Sequence, residues 1–145
     1  MIDLLKWKFP NAIVDCSWLY NKIGDDNIRV YDCTTYLHYT DNDPNKPYNV
    51  ESGFSEYKKE HIPHSAYIDL QKDLSNNNSK YRFTLPNHKN LAKGFSDLGI
   101  GNSYKIVLYS SKKPNYFKAR AKWIFNPLRP YYILSSQDRS KCITI

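Results

Sequence analysis

The sequence is poor in cysteine, and the cysteines it has are not paired. Its 145 residues include three, Cys16, Cys33 and Cys142, with no Cys-X-X-Cys spacing. An odd number of widely separated cysteines does not make a disulfide framework and indicates free thiols in a reducing compartment. A secreted, disulfide-stabilised scaffold is therefore excluded.

Long apolar runs are also missing. No stretch approaches the roughly 20 apolar residues that a membrane-spanning helix needs. The N-terminal segment includes Asp3 and Lys6 and lacks the apolar core of a secretory signal peptide. We therefore expect a cytoplasmic protein with no membrane partner.

The sequence does have enough apolar material for one packed domain. Hydrophobic residues make up 41% of it and aromatic residues 15%, including 13 tyrosines. A chain of this length is typical of a single domain. Many buried tyrosines also require hydrogen-bond partners for their hydroxyl groups.

The formal net charge is +7, which can indicate an anionic partner. The densest basic group lies in one predicted loop and helix and consists of Lys112, Lys113, Lys118, Arg120 and Lys122. No DNA- or RNA-binding motif accompanies it. The pattern therefore favours a solvated or small-anion-facing surface, and we expect no nucleic-acid partner.

Short apolar runs alternate with helical patterns along the chain. Ile28–Cys33, Ala66–Leu70 and Lys105–Tyr109 are predicted as strands, and Asn87 as the cap of a helix that reaches Leu98 and ends at Gly99. Further predictions are a helix capped by Ser17 and ended by Gly24, a loop over Thr40–Ser52, and a helix over Asn115–Phe125. This alternation predicts an α/β fold with a mainly parallel sheet.

Five segments, taken in order, are similar to one known family. They are Ser17–Leu19, Val30–Asp32, Tyr57–Ile68 with its His-Ile-Pro triplet, Leu98–Gly101 and Ala119–Trp123. Together they resemble the rhodanese-like domain, in particular the N-terminal half of tandem thiosulfate/3-mercaptopyruvate sulfurtransferases. The resemblance implies a three-layer fold over residues 9–126, with a mainly parallel central sheet flanked by helices.

The C-terminal part of this fold is expected to be incomplete. After Phe125 the family continues to a strand ending Leu-Asp-Gly-Gly and then a closing helix. Here Tyr131–Ser136 matches that strand only with a shortened connection and without the Asp-Gly-Gly, and we expect no closing helix. We interpret residues 127–145 as a divergent tail. A truncated or frameshifted gene fragment, or a natural short variant, would produce it.

The family's activity depends on a cysteine in the loop after the central strand. That thiolate is held by backbone N–H groups and carries the transferred sulfur as a persulfide. Here the loop begins with Ser110 and Ser111 and contains no cysteine. The family's first domain also lacks this residue, which the second domain supplies. The resemblance therefore implies sulfur transfer from thiosulfate or 3-mercaptopyruvate to a thiol or cyanide only with a Cys-bearing rhodanese domain as partner.

The remaining family-motif residues are interpreted as structural. They are Asp32, His61, Pro63, Arg120 and Trp123. We expect His61 to order its turn through a hydrogen bond, with Asp32 as one possible acceptor. Pro63 disrupts the helical His-X-X-His geometry, so neither a metal nor a cofactor is predicted, and no catalytic residue is assigned.

The His-Ile-Pro segment departs from the family at three positions. Glu60 and His64 stand where the family has glycine, and Ser65 stands where it has alanine. If the turn requires a left-handed residue, His64 is strained by about 1–2 kcal/mol. Two alternatives to a sulfurtransferase domain stay open. One is a protein- or anion-binding interaction module acting through Lys112 and Lys113, and the other is a functionless remnant of a split gene.

Overall fold

A computed structural model describes residues 12–110 and 131–134 of the chain. The elements are β1 (Ile13–Val14), α1 (Cys16–Lys22), β2 (Ile28–Asp32), β3 (Thr35–Tyr39), β4 (Tyr48–Ser52), α2 (Phe54–Lys59), β5 (Ser65–Tyr67), α3 (Leu70–Asp73), α4 (His88–Asp97), β6 (Lys105–Tyr109) and β7 (Tyr131–Leu134). None of the helices in these two ranges is long and apolar enough to cross a membrane.

Five parallel strands form the central sheet, in the order β1-β7-β6-β2-β5. β2 lies next to the edge strand β5, with Val30 beside Ser65 of β5 on one side and Val107 of the middle strand β6 on the other. Parallel neighbours need crossover connections, and α2 lies in the connection between β2 and β5. The predicted α/β class with a mainly parallel sheet is confirmed.

Helices pack against both faces of this sheet. Phe95 of α4 packs with Tyr31 of β2 on one face, whereas Leu19 of α1 packs with Val30 of β2 on the other. Successive residues of a strand point to opposite faces, so neighbouring residues of β2 belong to two separate cores. The described residues therefore form the three layers that the resemblance implies.

The best-predicted elements are α4 and β6. The side chain of Asn87 accepts a hydrogen bond from the N–H of Asn90 and caps α4. Gly99 ends that helix with φ of 76°, a conformation that glycine adopts without strain. β6 has the predicted bounds, Lys105–Tyr109.

The start of α1 differs from the prediction. Asp15 caps it, because its side chain accepts a hydrogen bond from the N–H of Trp18 at 2.8 Å. The prediction of Ser17 as the cap is therefore wrong. Aspartate and serine are both good N-cap residues, and the sequence offers one of each two positions apart.

The predicted loop over Thr40–Ser52 is wrong in its second half. Tyr48–Ser52 forms β4, which pairs antiparallel with β3 and makes a hairpin separate from the main sheet. The connection is shorter than predicted and closes where the N–H of Thr40 donates to the Pro47 carbonyl at 2.7 Å. The strand predicted to reach Leu70 is also shorter, because Leu70 begins α3.

β7 lies between β1 and β6 in the central sheet. Ile133 is beside Ile13 on one side and Leu108 on the other, and Leu134 is 1% exposed. These four residues fall within the segment predicted as a divergent tail, so part of residues 127–145 contributes to the core. The division into residues 9–126 and 127–145 stays a prediction.

Candidate functional site at the carboxyl ends of the central strands

β2 and β6 end side by side at one edge of the sheet. Asp32 is in register with Tyr109, and the N–H of Cys33 donates to the Tyr109 carbonyl at 2.8 Å. Ser110 comes next and is only 3% exposed. Ligands of open parallel sheets bind beyond the carboxyl ends of the strands, so this edge is the candidate site.

Most of the predicted loop lies outside the described residues. Of the two serines at the inactive-loop position, Ser110 is described and Ser111 is not. The predicted helix over Asn115–Phe125, with Arg120 and Trp123, also lies outside the described ranges, as do the lysines Lys112, Lys113, Lys118 and Lys122. Their proposed roles stay predictions.

Asp32 fixes the path of the chain where it leaves β2. Its carboxylate is 1% exposed, and Oδ1 accepts hydrogen bonds from the N–H of Thr34 at 2.8 Å and from Thr34 Oγ1 at 2.6 Å. The Asp32 carbonyl accepts from the N–H of Ile68 at 2.9 Å. Asp32 therefore has a local structural role consistent with its predicted assignment.

His61 makes a hydrogen bond within its turn, as expected, but Asp32, named as one possible acceptor, is not its partner. Its Nδ1–H donates instead to the Tyr57 carbonyl at 2.6 Å, four residues earlier. The imidazole also stacks on the Tyr57 ring, with centroids 4.2 Å apart. A carbonyl can only accept, so this bond places the proton on Nδ1 and, in neutral His61, the lone pair on Nε2.

Tyr109 joins the His-Ile-Pro segment to the central strand. Its hydroxyl accepts a hydrogen bond from the N–H of Ile62 at 3.2 Å and lies 3.0 Å from Ser65 Oγ. Ile62 is fully buried beneath this contact, whereas Pro63 is half-buried. These contacts therefore hold the His-Ile-Pro segment against Tyr109, the last residue of β6.

The turn at Pro63 and His64 has the features of a type II β-turn. The N–H of Ser65 donates to the Ile62 carbonyl at 3.1 Å, with Pro63 at the second position and His64 at the third. His64 has φ of 63°, and the third position of such a turn favours glycine. Glu60, the other family glycine position, is extended with φ of −158°.

Replacing His64 by glycine is expected to stabilise the domain by about 0.5–1 kcal/mol. The side chain of His64 is exposed, so the change relieves the left-handed backbone without removing a buried contact. Glu60→Gly is the matched control and is expected to be neutral or destabilising. Urea denaturation of both variants tests this, and equal shifts would contradict it.

Tyr67 joins the hairpin to the edge of the sheet. Its hydroxyl donates to the Thr34 carbonyl at 2.7 Å and accepts from the N–H of Gly53 at 2.9 Å. Burial is the main cause that raises the pKa of Tyr67 to about 12, and hydrogen bonds from Ser52 and Gly53 partly oppose it. The phenol is therefore a neutral structural link at physiological pH.

This raised pKa predicts a pH dependence at alkaline pH. The unfolded chain releases the Tyr67 proton near pH ~10 and the folded chain near 12. Between these values the folded state binds more protons, so stability falls as pH rises, and the contribution is complete below pH ~10. Urea denaturation between about pH 8 and 11 should show a steeper loss in the wild type than in Tyr67→Phe. Parallel profiles would contradict this.

Neither described cysteine is placed as a nucleophile. Cys33 is 1% exposed, and burial, followed by the negative charge of Asp32, raises the pKa of its thiol well above the ordinary value. Cys16 lies half-buried in α1, against the core that contains Leu19. Cys33 therefore lies in the core and Cys16 packs against it, and Cys142 lies outside the described residues.

Within residues 12–110 and 131–134, no group of three or more His, Cys, Asp or Glu side chains is arranged to hold a metal ion. His61 is engaged with Tyr57, and His64 is turned to solvent by its left-handed backbone. The His-X-X-His spacing therefore does not form a chelating pair in this turn.

Three tyrosines that organise the site were not singled out from the sequence. Tyr57 donates its hydroxyl to the Ser65 carbonyl at 2.6 Å, and Tyr67 and Tyr109 make the contacts described above. The sequence did contain one signal, because a buried tyrosine hydroxyl needs a hydrogen-bond partner and Tyr57 and Tyr67 lie within Tyr57–Ile68. That signal does not identify the partner, so the hydrogen-bond network could be recognised only in the structure.

Comparison with known proteins gives consistent matches at low identity. No protein-family model matches the chain. It is 29% identical over 113 residues to thiosulfate/3-mercaptopyruvate sulfurtransferase 2 of Arabidopsis thaliana, covering 78% of this chain and 30% of that protein. The structure of the 3-mercaptopyruvate sulfotransferase SseA of Escherichia coli matches with a TM-score of 0.65 and 23% identity, covering 86% of this chain and 45% of that one.

A second solved structure, 3-mercaptopyruvate sulfurtransferase from Leishmania major, also gives a TM-score of 0.65, with 18% identity. The match covers 92% of this chain and 34% of that protein. The chain therefore spans less than half the length of each of the three proteins.

Proposed function

We infer that this chain, which has the rhodanese fold and is homologous to the thiosulfate/3-mercaptopyruvate sulfurtransferases, is a non-catalytic domain of a tandem sulfurtransferase. The observation that carries the inference is the residue type at the end of β6. The chain continues there as Ser110 and Ser111, and no cysteine follows before residue 142.

The chemistry explains why this position decides the function. In transfer from thiosulfate to cyanide, a thiolate displaces sulfite and becomes a persulfide, and cyanide then removes the outer sulfur and restores the thiolate. A serine hydroxyl cannot hold sulfur in this way. The described alternative, Cys33, is inside the core with a thiol that stays protonated.

The lengths of the relatives support a role beside a second domain. The match covers 30% of the Arabidopsis protein and 45% of the Escherichia coli protein, so those proteins have room for another domain of similar size. The proposed partner is a Cys-bearing rhodanese domain. Transfer from thiosulfate or 3-mercaptopyruvate then occurs only in the assembled pair.

The purified chain is therefore expected to form no thiocyanate from thiosulfate and cyanide, and no pyruvate from 3-mercaptopyruvate and a thiol. The matched controls are the variants Cys16→Ser, Cys33→Ser and Cys142→Ser. Activity of the chain that one of these substitutions abolishes would overturn the non-catalytic assignment, because it would identify a working thiolate.

An interaction module is the second candidate, and the charge distribution favours it. Residues 12–110 carry 11 basic and 12 acidic side chains, so the excess of +7 arises entirely outside them. Lys112 and Lys113 belong to this basic part of the sequence. A partner that binds through it should be acidic, and its binding should weaken with salt.

Charge reversal at Lys112 and Lys113 is expected to abolish salt-sensitive capture of such a partner from lysate. Reversal at Lys89 and Lys93, which are exposed on α4, is the control and should leave it intact. Equal loss with both pairs would show non-specific charge attraction and would remove the support for this candidate.

A further inference from the structure

The loop Ser79–Thr84, between α3 and α4, holds a partly buried arginine with no acceptor. Nε of Arg82 is inaccessible to solvent and has no hydrogen-bond partner. Within the described ranges, no carboxylate forms an ion pair with its guanidinium. A buried donor left unpaired is unfavourable, so this side chain is not explained by its contribution to stability.

Other cations of the described chain are accommodated differently. The guanidinium of Arg29 lies 4.2 Å from the centre of the Tyr104 ring, and Lys93 pairs with Asp97 at 2.6 Å. Arg82 has neither kind of contact. Among the described residues, Nε of Arg82 is the only buried side-chain nitrogen or oxygen atom without a hydrogen-bond partner.

The loop holds Arg82 in a fixed place. The next residue, Phe83, is 3% exposed and has φ of 55°, which is unfavourable for a bulky side chain. Its N–H donates to Gln71 Oε1 at 2.8 Å, and the N–H of Asn76 closes the loop on the Thr84 carbonyl at 2.7 Å. These contacts stabilise the strained backbone next to Arg82.

We propose that the loop Ser79–Thr84 binds a small oxyanion, a carboxylate, sulfate or phosphate, through the outer nitrogens of Arg82. Nε is the only guanidinium atom that is both buried and unpartnered, which leaves the two outer nitrogens for a ligand, and a guanidinium presents paired N–H groups that match an oxyanion. Lys80 supplies a second positive charge two residues away, beside the half-exposed ring of Tyr81. The site does not depend on the sulfur-transfer inference.

A small anion fits this loop better than a polyanion. Nucleic-acid surfaces combine many exposed cations along one face. In residues 12–110 the acidic side chains slightly outnumber the basic ones, and Arg82 offers only part of its guanidinium to solvent. The geometry supplies one local positive centre, which suits a ligand with one or two negative charges.

The test is a titration of the full chain with sodium sulfate, phosphate and acetate at constant ionic strength, followed by NMR at the arginine Nε–H signals. We expect a saturable shift at Arg82 and none at Arg29. Arg82→Gln should weaken binding by about tenfold or more, whereas Arg29→Gln should leave it unchanged. Comparison of the three anions distinguishes a tetrahedral ligand from a carboxylate.

Equal, non-saturating shifts at both arginines would overturn the proposal, as would binding to heparin but to none of the small anions. Thermal unfolding gives an independent readout with Arg82→Met, which keeps the aliphatic stem. Without anion this variant should be at least as stable as the wild type, since an unpaired donor is removed. Sulfate stabilises folded proteins in general, so it should raise the Tm of both proteins, but that of the wild type more than that of the variant. An equal rise in Arg82→Met would also overturn it.

Discussion

Gly53→Ala is expected to lower the free energy of unfolding by about 3 kcal/mol, because a methyl group has no space there. A Cβ at this position would lie 2.7 Å from the carbonyl oxygen of Thr34 and 2.7 Å from its Cγ2. Rotation of the Thr34 side chain can move Cγ2, but it moves neither the carbonyl oxygen nor the Cβ, which would lie 2.8 Å away. The chain between β2 and β3 would therefore have to move away from the start of α2.

That movement has a further cost because Gly53 is part of a hydrogen-bonded link. Its N–H donates to the Thr34 carbonyl and to the Tyr67 hydroxyl, both at 2.9 Å. A shift that relieves the overlap lengthens both bonds and exposes the link between the hairpin and β5. The loss should therefore appear both in global stability and in faster hydrogen exchange at Gly53.

Gly24→Ala is the matched control, since a Cβ there has no neighbour within 4 Å. It should change the free energy of unfolding by less than about 0.5 kcal/mol. Urea denaturation of the two variants measures the difference directly. If Gly53→Ala were as stable as Gly24→Ala, the close contact with Thr34 would not constrain the fold.

The elements predicted well are those whose signals are local. α4 has a cap at Asn87, apolar residues at helical spacing and a terminating glycine at Gly99, so each end and one face are marked in the sequence. β6 is a run of β-branched and aromatic residues between polar boundaries. Such elements form wherever the rest of the chain allows, and the structure has both where expected.

The hairpin was missed because its signals conflict. Tyr48 and Val50 alternate with polar residues as in a half-buried strand, but Asn, Asp and Pro dominate the segment before them. Pairing with β3 decides the outcome, since the partner strand provides the hydrogen bonds and buries Tyr48 against Phe83. That pairing is non-local, so the strand propensities of the individual residues do not predict it.

The candidate site was predictable in its residues but not in its contacts. The resemblance directs attention to Asp32, His61 and Pro63. Asp32 ends β2, whereas His61 and Pro63 precede β5, and their segment is linked to β6 through the Tyr109 hydroxyl. Their partners, Thr34, Tyr57 and Tyr109, follow from backbone geometry that no spacing rule supplies. Arg82 could be predicted even less, because what distinguishes it is the missing hydrogen-bond partner of its buried Nε, which no sequence pattern shows.

Asp32→Ala is the second change with a large expected effect, a loss of about 2–4 kcal/mol in the free energy of unfolding. The buried carboxylate accepts hydrogen bonds from both the N–H and the hydroxyl of Thr34. Alanine removes this acceptor from a part of the chain where water cannot replace it. Bonds to a charged acceptor contribute about 1.5–3 kcal/mol each, and relief of the buried charge offsets part of the loss.

Asp32→Asn separates this structural role from a functional one. The amide oxygen can still accept both hydrogen bonds from Thr34, so the loss should be about 1 kcal/mol or less. Urea denaturation of the two variants should therefore rank alanine well below asparagine. If both variants were as stable as the wild type, the bonds to Thr34 would not hold the exit of β2. Asp32 would then be a better candidate for contact with a partner domain at the carboxyl edge of the sheet.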